Sequence, residues 1–278
     1  MTGATGNVGR EVVRALKARG IAARSGVRRP LDDSPEAVRF DFFERSTWDP
    51  AVRGVTGLFL IRPPAIARVT DTLNPFVDAA RGAGVQHVVF LSVLGADTNR
   101  IVPHHRVEKH LAAGGADHTI LRPGFFAQNF EDAYRADIVE ADRVYVPAGG
   151  GAVSFVDLFD VGELAAEIFS KPAVHRACGY VLTGPEAVTF QDACARLSGV
   201  VGRTIRYEPA SVSGYARHLR RRGLSWGQLA VQTILHVRLR SGRAASVDPT
   251  LERLLGRPPR KLDTYFARRA ERFSPCSG

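Results

Sequence analysis

The sequence predicts an α/β protein with a doubly wound parallel sheet and a smaller C-terminal lobe. Three observations support this prediction. Glycines at positions 3, 6 and 9 directly precede a helical pattern. Apolar runs alternate with helical segments as far as residue 124, and this regular alternation ends beyond that point. Such alternation is typical of parallel sheets. The predicted domains are 1–150 for the sheet and 151–278 for the lobe, with residues 178–184 returning to the sheet.

The first ten residues form a glycine-rich turn that opens a helix. Val8, Val12 and Leu16 fall on one helical face, and Gly20 stands where the helix should end. Such a turn gathers backbone N–H groups and the positive end of the helix dipole at one point, where a pyrophosphate can bind. Glycine is needed because a Cβ would hold the phosphates away from the backbone.

Only two residues precede this turn, although a parallel sheet of this kind places a strand of about five residues there. That strand would lie in the middle of the sheet. We therefore expect that the sequence begins several residues late, for example through a misassigned start.

The other elements follow from apolar runs and the residues that interrupt them. Strands of the sheet are predicted at 21–27, 37–41, 55–61, 86–92 and 118–122, and helices from 46, over 68–81 and over 104–113. Ligands of such sheets bind at the carboxyl ends of the strands. Beyond residue 124, short strands are predicted at 143–147, 153–156 and 179–183, and helices at 160–170, 189–201, 212–221, 224–238 and 262–272.

Composition excludes several classes of protein. An apolar content of 45% and a charged content of 24% are ordinary for a globular protein and argue against disorder. No apolar run approaches the roughly 20 residues that span a bilayer, and the start does not resemble a signal peptide. Cys178, Cys194 and Cys276 are three scattered thiols without metal spacing. Their odd number favours a reducing, cytoplasmic location over a disulfide framework.

The formal charge of +10 comes almost entirely from arginine. A basic chain can bind nucleic acid, and residues 217–222 form one dense arginine cluster. However, no DNA-reading motif and no basic stretch with interleaved aromatics is present. A general arginine bias is the favoured interpretation, so neither nucleic acid nor a membrane is expected as a partner.

Motifs along almost the whole chain identify a family resemblance. They are the opening Thr2–Arg10, Arg28-Arg29-Pro30, Phe40-Asp41, Leu91-Ser92, Val107-Glu108-Lys109 with Leu111, Thr119–Gly124 with Asn129, and Leu255–Pro258 with Asp263. On these residues the chain resembles the NmrA-like branch of the atypical short-chain dehydrogenase/reductases. Asp41 with Thr47-Trp48-Asp49 and Pro63-Pro64 is similar to the agroclavine/festuclavine dehydrogenase group within that branch.

The resemblance implies a Rossmann-type domain that binds NAD(P)(H). It places the cofactor diphosphate at Gly3, Thr5, Gly6, Asn7, Val8 and Gly9, with further contacts from Phe42, Ile61, Arg62, Lys109, Pro123, Gly124 and Phe125. Arg28 and Arg29 would lie near the adenosine ribose. An acidic residue there suits NAD, whereas arginine suits a 2′-phosphate, so NADP(H) is favoured over NAD(H). The alternative is an ordinary exposed arginine pair. Asp41 would face the adenine edge or form a turn.

The catalytic residues are less clearly indicated. Ordinary members of the superfamily place a serine after a strand and a Tyr-x-x-x-Lys pair on the next helix, where the tyrosine donates a proton. Ser92 and Lys109 match, but His105 replaces the tyrosine, and His104 with Glu108 forms a second pair at the same spacing. We expect His104 or His105 to assist proton transfer and Lys109 to contact the nicotinamide ribose. The alternative is a solvated helix start.

No metal site is expected, because His104, His105 and His110 point in different directions around a helix. The aromatic segment after residue 124 could form a pocket floor, with Phe126 and Asn129 binding substrate, or could simply be core. Tyr215 and Trp226 are further pocket candidates without an identifying signature.

Family members with the His-x-x-x-Glu pattern resemble quinone and azo-type reductases, which need no tyrosine acid. The resemblance therefore implies an NADP(H)-dependent oxidoreductase that transfers hydride to a small electrophile such as a quinone, azo compound or imine. The main alternative is a non-catalytic NAD(P)(H)-sensing regulator. A monomer or homodimer is expected.

Overall fold

The computed structural model describes residues 1–29, 36–115 and 117–274. Pro30 of the arginine motif and the thiol of Cys276 lie outside these ranges. The helices are α1 Asn7–Ala18, α2 Trp48–Val52, α3 Leu73–Gly82, α4 Pro103–Ala113, α5 Arg135–Ala141, α6 Leu158–Ser170, α7 Phe190–Val201, α8 Val212–Arg221, α9 Trp226–Leu239, α10 Thr250–Leu255 and α11 Leu262–Arg268. The strands are β1 Ser25–Val27, β2 Ala37–Arg39, β3 Gly57–Ile61, β4 His87–Leu91, β5 Asp117–Pro123, β6 Phe125–Phe126, β7 Arg143–Val146, β8 Ala152–Val153, β9 Phe155–Val156, β10 Cys178–Leu182, β11 Val188–Thr189 and β12 Arg206–Pro209.

The chain forms two compact units and passes between them several times. The first unit contains residues 1–123, 158–182 and 253–257, and the second contains 124–157, 183–252 and 258–278. The assignment of 1–150 to a cofactor-binding domain and of 151–278 to a smaller lobe stays a prediction. Strand β10 belongs to the first unit, although it follows the first segment of the second unit in sequence.

The first unit is built on parallel strands, which confirms the predicted α/β class. Strands β10, β5, β4 and β3 form one sheet in that order, and β1 pairs with β2 in another. Met1 and Thr2 connect the two sheets: the Gly26 N–H donates to the Met1 carbonyl, and the Thr2 N–H donates to the Phe59 carbonyl. The two residues therefore lie where a central strand would run.

Helices cover the strands of the first unit and bury its core. Strand β4 is buried along its whole length, as expected for a strand covered on both faces. An aromatic cluster of Phe40, Phe42, Trp48 and Phe76 fills one side, with ring centroids 4.6 to 5.6 Å apart. Helices α1 and α6 pack closely together because Gly162 lets the backbones approach. A Cβ at that position would lie 2.6 Å from the Glu11 carbonyl oxygen.

Several predicted elements differ from the structure in their bounds, and two of them show the physical reason. The strand predicted over 21–27 is shortened to β1, since Ile21 closes the turn that follows α1. Its N–H donates to the Leu16 carbonyl, and Gly20 adopts a φ of +70°, as in a glycine-terminated helix. The helix predicted over 68–81 begins only at Leu73, because Val69–Asp71 forms a short 3-10 turn before it.

The second unit contains short strand pairs surrounded by helices. The pairs are β6 with β9, β7 with β12 and β8 with β11. Its core includes Phe130, Phe190 and Phe266. The predicted helix over 212–221 coincides with α8, and that over 224–238 corresponds to α9. Among the described helices, none has both the length and the apolar character needed to span a membrane.

Candidate functional site

The glycine-rich turn forms a bare cradle at the start of α1. Gly6 is the N-cap residue, no side chain caps the helix, and the first turn carries no acidic residue. Gly3 adopts a φ of +64°, and a Cβ at Gly9 would lie only 2.1 Å from the Gly3 carbonyl oxygen. The positive end of a helix of 12 residues is thus open to an anion. These residues fit the diphosphate of a dinucleotide.

Thr5, Asn7 and Ile61 lie directly beside this cradle. The Arg10 guanidinium donates to the Thr5 carbonyl at 2.9 Å and also to the Asn7 side chain. Ile61 ends β3 directly beside Gly3, 3.2 Å from where a Cβ of that glycine would be. Val8 follows in the first turn of α1 and is half-buried. The structure therefore brings the predicted diphosphate residues together at the end of β3.

At the ends of β1 and β2 stand the residues predicted near the adenosine. Arg28 and Arg29 are exposed, and neither forms an ion pair within the described ranges. The Asp41 carboxylate accepts the Phe43 N–H at 2.9 Å, so this residue forms a turn. One of its oxygens is engaged in this way. The ring of Phe42 is buried in the aromatic cluster, so its side chain is not open to a ligand.

Arg62 joins the end of β3 to helix α4. Its Nε–H donates to His104 Nε2 at 3.2 Å, and its Nη1 donates to the carbonyls of Pro63, Pro64 and Ile66. Burial lowers the pKa of Arg62 from its usual value. The guanidinium therefore fixes the loop after β3 and holds one histidine of α4.

His104 is buried and uncharged near neutral pH. Burial, and to a smaller extent the Arg62 charge, lowers the pKa of His104 to about 3. Since Nε2 accepts from Arg62, the ring proton lies on Nδ1, which is buried and has no hydrogen-bond partner in the described part of the chain. The imidazole is held beside the Phe90 ring at 6.0 Å. It cannot act as an imidazolium acid in this state.

A buried network connects Ser92, Glu108 and Arg122. The Ser92 hydroxyl donates to Glu108 Oε1. Arg122 donates to both carboxylate oxygens, with its Nη2 2.7 Å from Oε2 and its Nε 3.1 Å from Oε1. This ion pair raises the pKa of Arg122 above its usual value. The Ser92 proton is thus engaged, and the hydroxyl oxygen retains lone pairs with which it can accept.

The paired residues of α4 are separated by these contacts. Glu108 bonds to the neighbouring strands, whereas His104 bonds to Arg62, so the structure does not bring the two together. His105 Nδ1 donates to the Ala96 carbonyl at 2.7 Å, which leaves Nε2 as an acceptor in the neutral ring. Lys109 lies one turn further along on the same face and is exposed. His105 and Lys109 therefore remain accessible together.

Strand β5 ends at Pro123, whose carbonyl accepts the Leu94 N–H at 3.0 Å. Gly124 begins the second unit, where the predicted aromatic residues lie. Phe125 packs against Phe155 and His236 with centroids 5.9 and 5.7 Å away. Phe126 is half-buried at the end of β6.

Asn129 is also half-buried, whereas its neighbour Gln128 is buried and polar. Gln128 donates to the Asp157 carboxylate at 2.7 Å, and Arg268 donates to the other oxygen at 3.1 Å. Sequence patterns did not single out this trio. The only available signal is two polar residues between phenylalanines, and spacing cannot reveal partners so far apart in sequence.

Possible metal ligands and thiols are two further kinds of side chain with reactive chemistry. Within the described ranges, no group of three or more His, Cys, Asp or Glu side chains is arranged to hold a metal ion. Cys178 and Cys194 are free thiols, and burial raises the pKa of Cys194 to about 12.

Comparisons with known proteins decide the family. The model of the NmrA-like family matches residues 1–266. The chain belongs to the NmrA-like family. Its fold is the Rossmann-type α/β fold of that family, and the resemblance predicted from the sequence motifs is confirmed.

Relatives match along almost their whole length. A (4-alkanoyl-5-oxo-2,5-dihydrofuran-3-yl)methyl phosphate reductase of Streptomyces griseus is 32% identical, covering 99% of this chain and 99% of the relative. An NAD(P)H azoreductase of Xenophilus azovorans is 28% identical, covering 98% of each chain. The structure of the NADPH-dependent quinone oxidoreductase QOR2 of Escherichia coli, complexed with NADPH, aligns with a TM-score of 0.84 and 26% identity over 96% of this chain and 98% of that one.

Proposed function

We propose that this member of the NmrA-like family is an NADP(H)-dependent oxidoreductase that transfers hydride to a small electrophilic substrate such as a quinone, azo compound or imine. The observation that carries the proposal is the cradle at Gly3, Gly6 and Gly9, which is shaped for a diphosphate at the N-terminus of α1. Full-length relatives that are named as reductases support the class of activity.

The preference for NADP(H) rests on the end of β1. Arg28 is exposed there, without an ion-pair partner among the described residues, and no acidic residue follows the strand directly. A guanidinium suits a 2′-phosphate, whereas a carboxylate would repel it. Arg29 is a second candidate for the same contact.

The residues of α4 supply the proposed catalytic surface. Bound NADPH would supply the hydride. Lys109 would hold the ribose, and His105, with Nδ1 anchored on Ala96, would keep Nε2 directed for proton exchange. Ser92 would accept a hydrogen bond, since its own proton is donated to Glu108. His104 would act by positioning Arg62 and the loop after β3.

The first test is titration calorimetry with NADPH and NADH. We expect the wild type to bind NADPH more tightly than NADH. Arg28→Ala should weaken NADPH binding by about 10- to 100-fold, the usual loss for a charge-assisted hydrogen bond, and should change NADH binding little. Arg39→Ala is the matched control, because Arg39 is also exposed, at the end of β2, and pairs with Glu44. Equal affinity for both cofactors in the wild type would refute the assignment of Arg28.

The second test is NADPH oxidation with a simple quinone, followed by an azo dye and an iminium. We expect turnover with at least one of them, and His105→Ala to lower kcat more than His104→Ala. Unchanged turnover in both variants would remove the histidines from the mechanism. Tight cofactor binding without turnover on the whole panel would favour the alternative, a regulatory NAD(P)(H) sensor, which the missing tyrosine also favours.

A further inference from the structure

The hairpin of α8 and α9 carries an apolar surface that the proposed reaction does not use. Within the described residues, four of the ten exposed large apolar side chains belong to α9: Trp226 is 70% exposed, Val231 and Ile234 58%, and Leu235 51%. Val231, Ile234 and Leu235 are three and four residues apart and so share one side of the helix, and Trp226 is exposed in its first turn. We call these four residues the apolar face of α9.

This face is held rigidly, because the opposite side of the hairpin is anchored in the second unit. His236 Nε2 lies 2.6 Å from the Tyr134 hydroxyl, and His218 Nε2 lies 2.8 Å from the Asp137 carboxylate. A capping box at Ser225 begins α9. The apolar residues are therefore displayed on a folded surface and not left by a frayed helix.

The segment that carries the apolar face contains charges of a single sign. Between Glu208 and Asp248 the sequence has seven arginines and no acidic residue. Of these arginines, Arg222 pairs with Asp137 and Glu140, and Arg240 donates to backbone carbonyls. The remaining five are exposed and form no ion pair within the described part of the chain; they are Arg217, Arg220, Arg221, Arg238 and Arg243.

Two of these arginines, Arg220 and Arg238, are placed beside the apolar face. Arg238 stands one turn beyond Ile234 and Leu235 on the same side of α9. The Arg220 guanidinium lies 5.4 Å from the centre of the Trp226 ring. Arginines that flank an aromatic and aliphatic stripe are typical of helices that lie in the headgroup region of an anionic bilayer.

We infer that the hairpin of α8 and α9 docks on an anionic lipid surface. The apolar face would enter the boundary between headgroups and acyl chains, and the five arginines would bind lipid phosphates. A second copy of the chain fits less well, because it would bring two strongly basic segments together. The inference is independent of the proposed activity and reverses the expectation that no membrane is a partner.

The test is sedimentation of the full chain with vesicles of phosphatidylcholine alone or of equimolar phosphatidylcholine and phosphatidylglycerol. We expect binding only to the anionic vesicles, weakened strongly between about 0.05 and 0.5 M salt. Arg217→Gln with Arg221→Gln should lower the partition coefficient by about fivefold for each charge removed. The control pair Arg206→Gln with Arg253→Gln, which are also exposed arginines, should change it little.

The apolar contribution is tested separately. Ile234→Asp with Leu235→Asp should abolish vesicle binding, whereas Val174→Asp should not, although Val174 is 70% exposed in the first unit. In a Trp48→Phe variant, Trp226 is the only tryptophan, and its emission should shift to the blue on anionic vesicles. Retained circular dichroism and melting temperature show that each variant is folded.

Three outcomes would overturn the inference. The first is no binding to anionic vesicles at low salt, or binding that leaves the Trp226 emission unchanged. The second is tighter binding to a mixed-sequence oligonucleotide than to vesicles. The third is a dimer in sedimentation velocity that Ile234→Asp dissociates, which would make the face an interface between copies.

Discussion

At the scale of single residues, the glycines of the first turn have two separable roles. Gly9 serves packing, because any Cβ there meets backbone atoms, whereas a Cβ at Gly6 would make only an ordinary contact, 3.5 Å from the Gly3 carbonyl oxygen. Gly6 is the position where the helix N-terminus is open. The two substitutions to alanine therefore distinguish folding from ligand binding.

We predict that Gly6→Ala keeps the fold, at a cost of about 1 kcal/mol or less for a poorer N-cap, and weakens NADPH binding by roughly tenfold or more. Gly9→Ala should lower the free energy of unfolding by about 1–3 kcal/mol through overpacking. Denaturant titration and calorimetry measure the two effects. Equal losses of stability in both variants would contradict this separation.

His104 should make stability depend on pH. Its pKa is about 3 in the folded state and 6.5 in an unfolded chain, so the unfolded chain binds the proton first as the pH falls. Stability is therefore lost as the pH drops from 6.5 towards 3 and is recovered as the pH rises. His104→Gln keeps an acceptor for Arg62 but does not titrate.

Between pH 6.5 and 4, the wild type should lose up to about 3 kcal/mol more than His104→Gln. Urea unfolding at several pH values measures the difference, which cancels the contributions of the other histidines. Parallel profiles for the two proteins would show that His104 is protonated in the folded state over this range.

At the scale of elements, helix α1 presents the cradle and α6 supports it. The close approach at Gly162 places the backbone of α6 against Glu11 and Val12 of α1. Any side chain there must push the helices apart, because the neighbouring atoms are backbone and cannot rotate away. Displacement of α1 would carry the glycine-rich turn with it.

Gly162→Ala should therefore lower stability by about 1–3 kcal/mol and weaken cofactor binding as well. The matched control is Gly199→Ala in α7, an exposed helical glycine with open space around its Cβ position. It should raise stability by up to about 1 kcal/mol, since alanine favours the helix. Gly162→Ala melting at the wild-type temperature would show that α1 and α6 adjust freely.

For the whole molecule, the two tryptophans report on different units. Trp48 is buried in the first unit and Trp226 is exposed in the second. Unfolding should therefore shift the Trp48 emission to the red and leave that of Trp226 nearly unchanged. In a Trp226→Phe variant, Trp48 is the only tryptophan, so the emission reports on the unit that contains the cradle.

In that variant, NADPH at about one hundred times its Kd should stabilise the folded state by about 2.7 kcal/mol. The Trp48 transition should then move up by several degrees, about 2–4 °C for each kcal/mol in a unit of this size. NADH at the same concentration is the control. A midpoint that is unaffected by NADPH would contradict cofactor binding by the first unit.

Some features of this molecule followed from the sequence alone. Neighbouring residues were enough to predict the glycine turn, the α4 helix and the alternation of buried strands with helices. Backbone conformation and apolar periodicity are local properties. The family motifs added the fold type. Helix ends were less well predicted, as at Leu73, since turn geometry there depends on packing against neighbouring elements.

Tertiary structure decided which polar groups meet. Arg62 and His104 are 42 residues apart, and Glu108 is 16 residues from Ser92 and 14 from Arg122. Helical spacing pairs His104 with Glu108, but the order of the parallel strands gives each of them another partner. The same holds for α9, whose sequence is apolar on two sides; only the packed structure decides which side is buried and which faces solvent, because burial depends on distant residues.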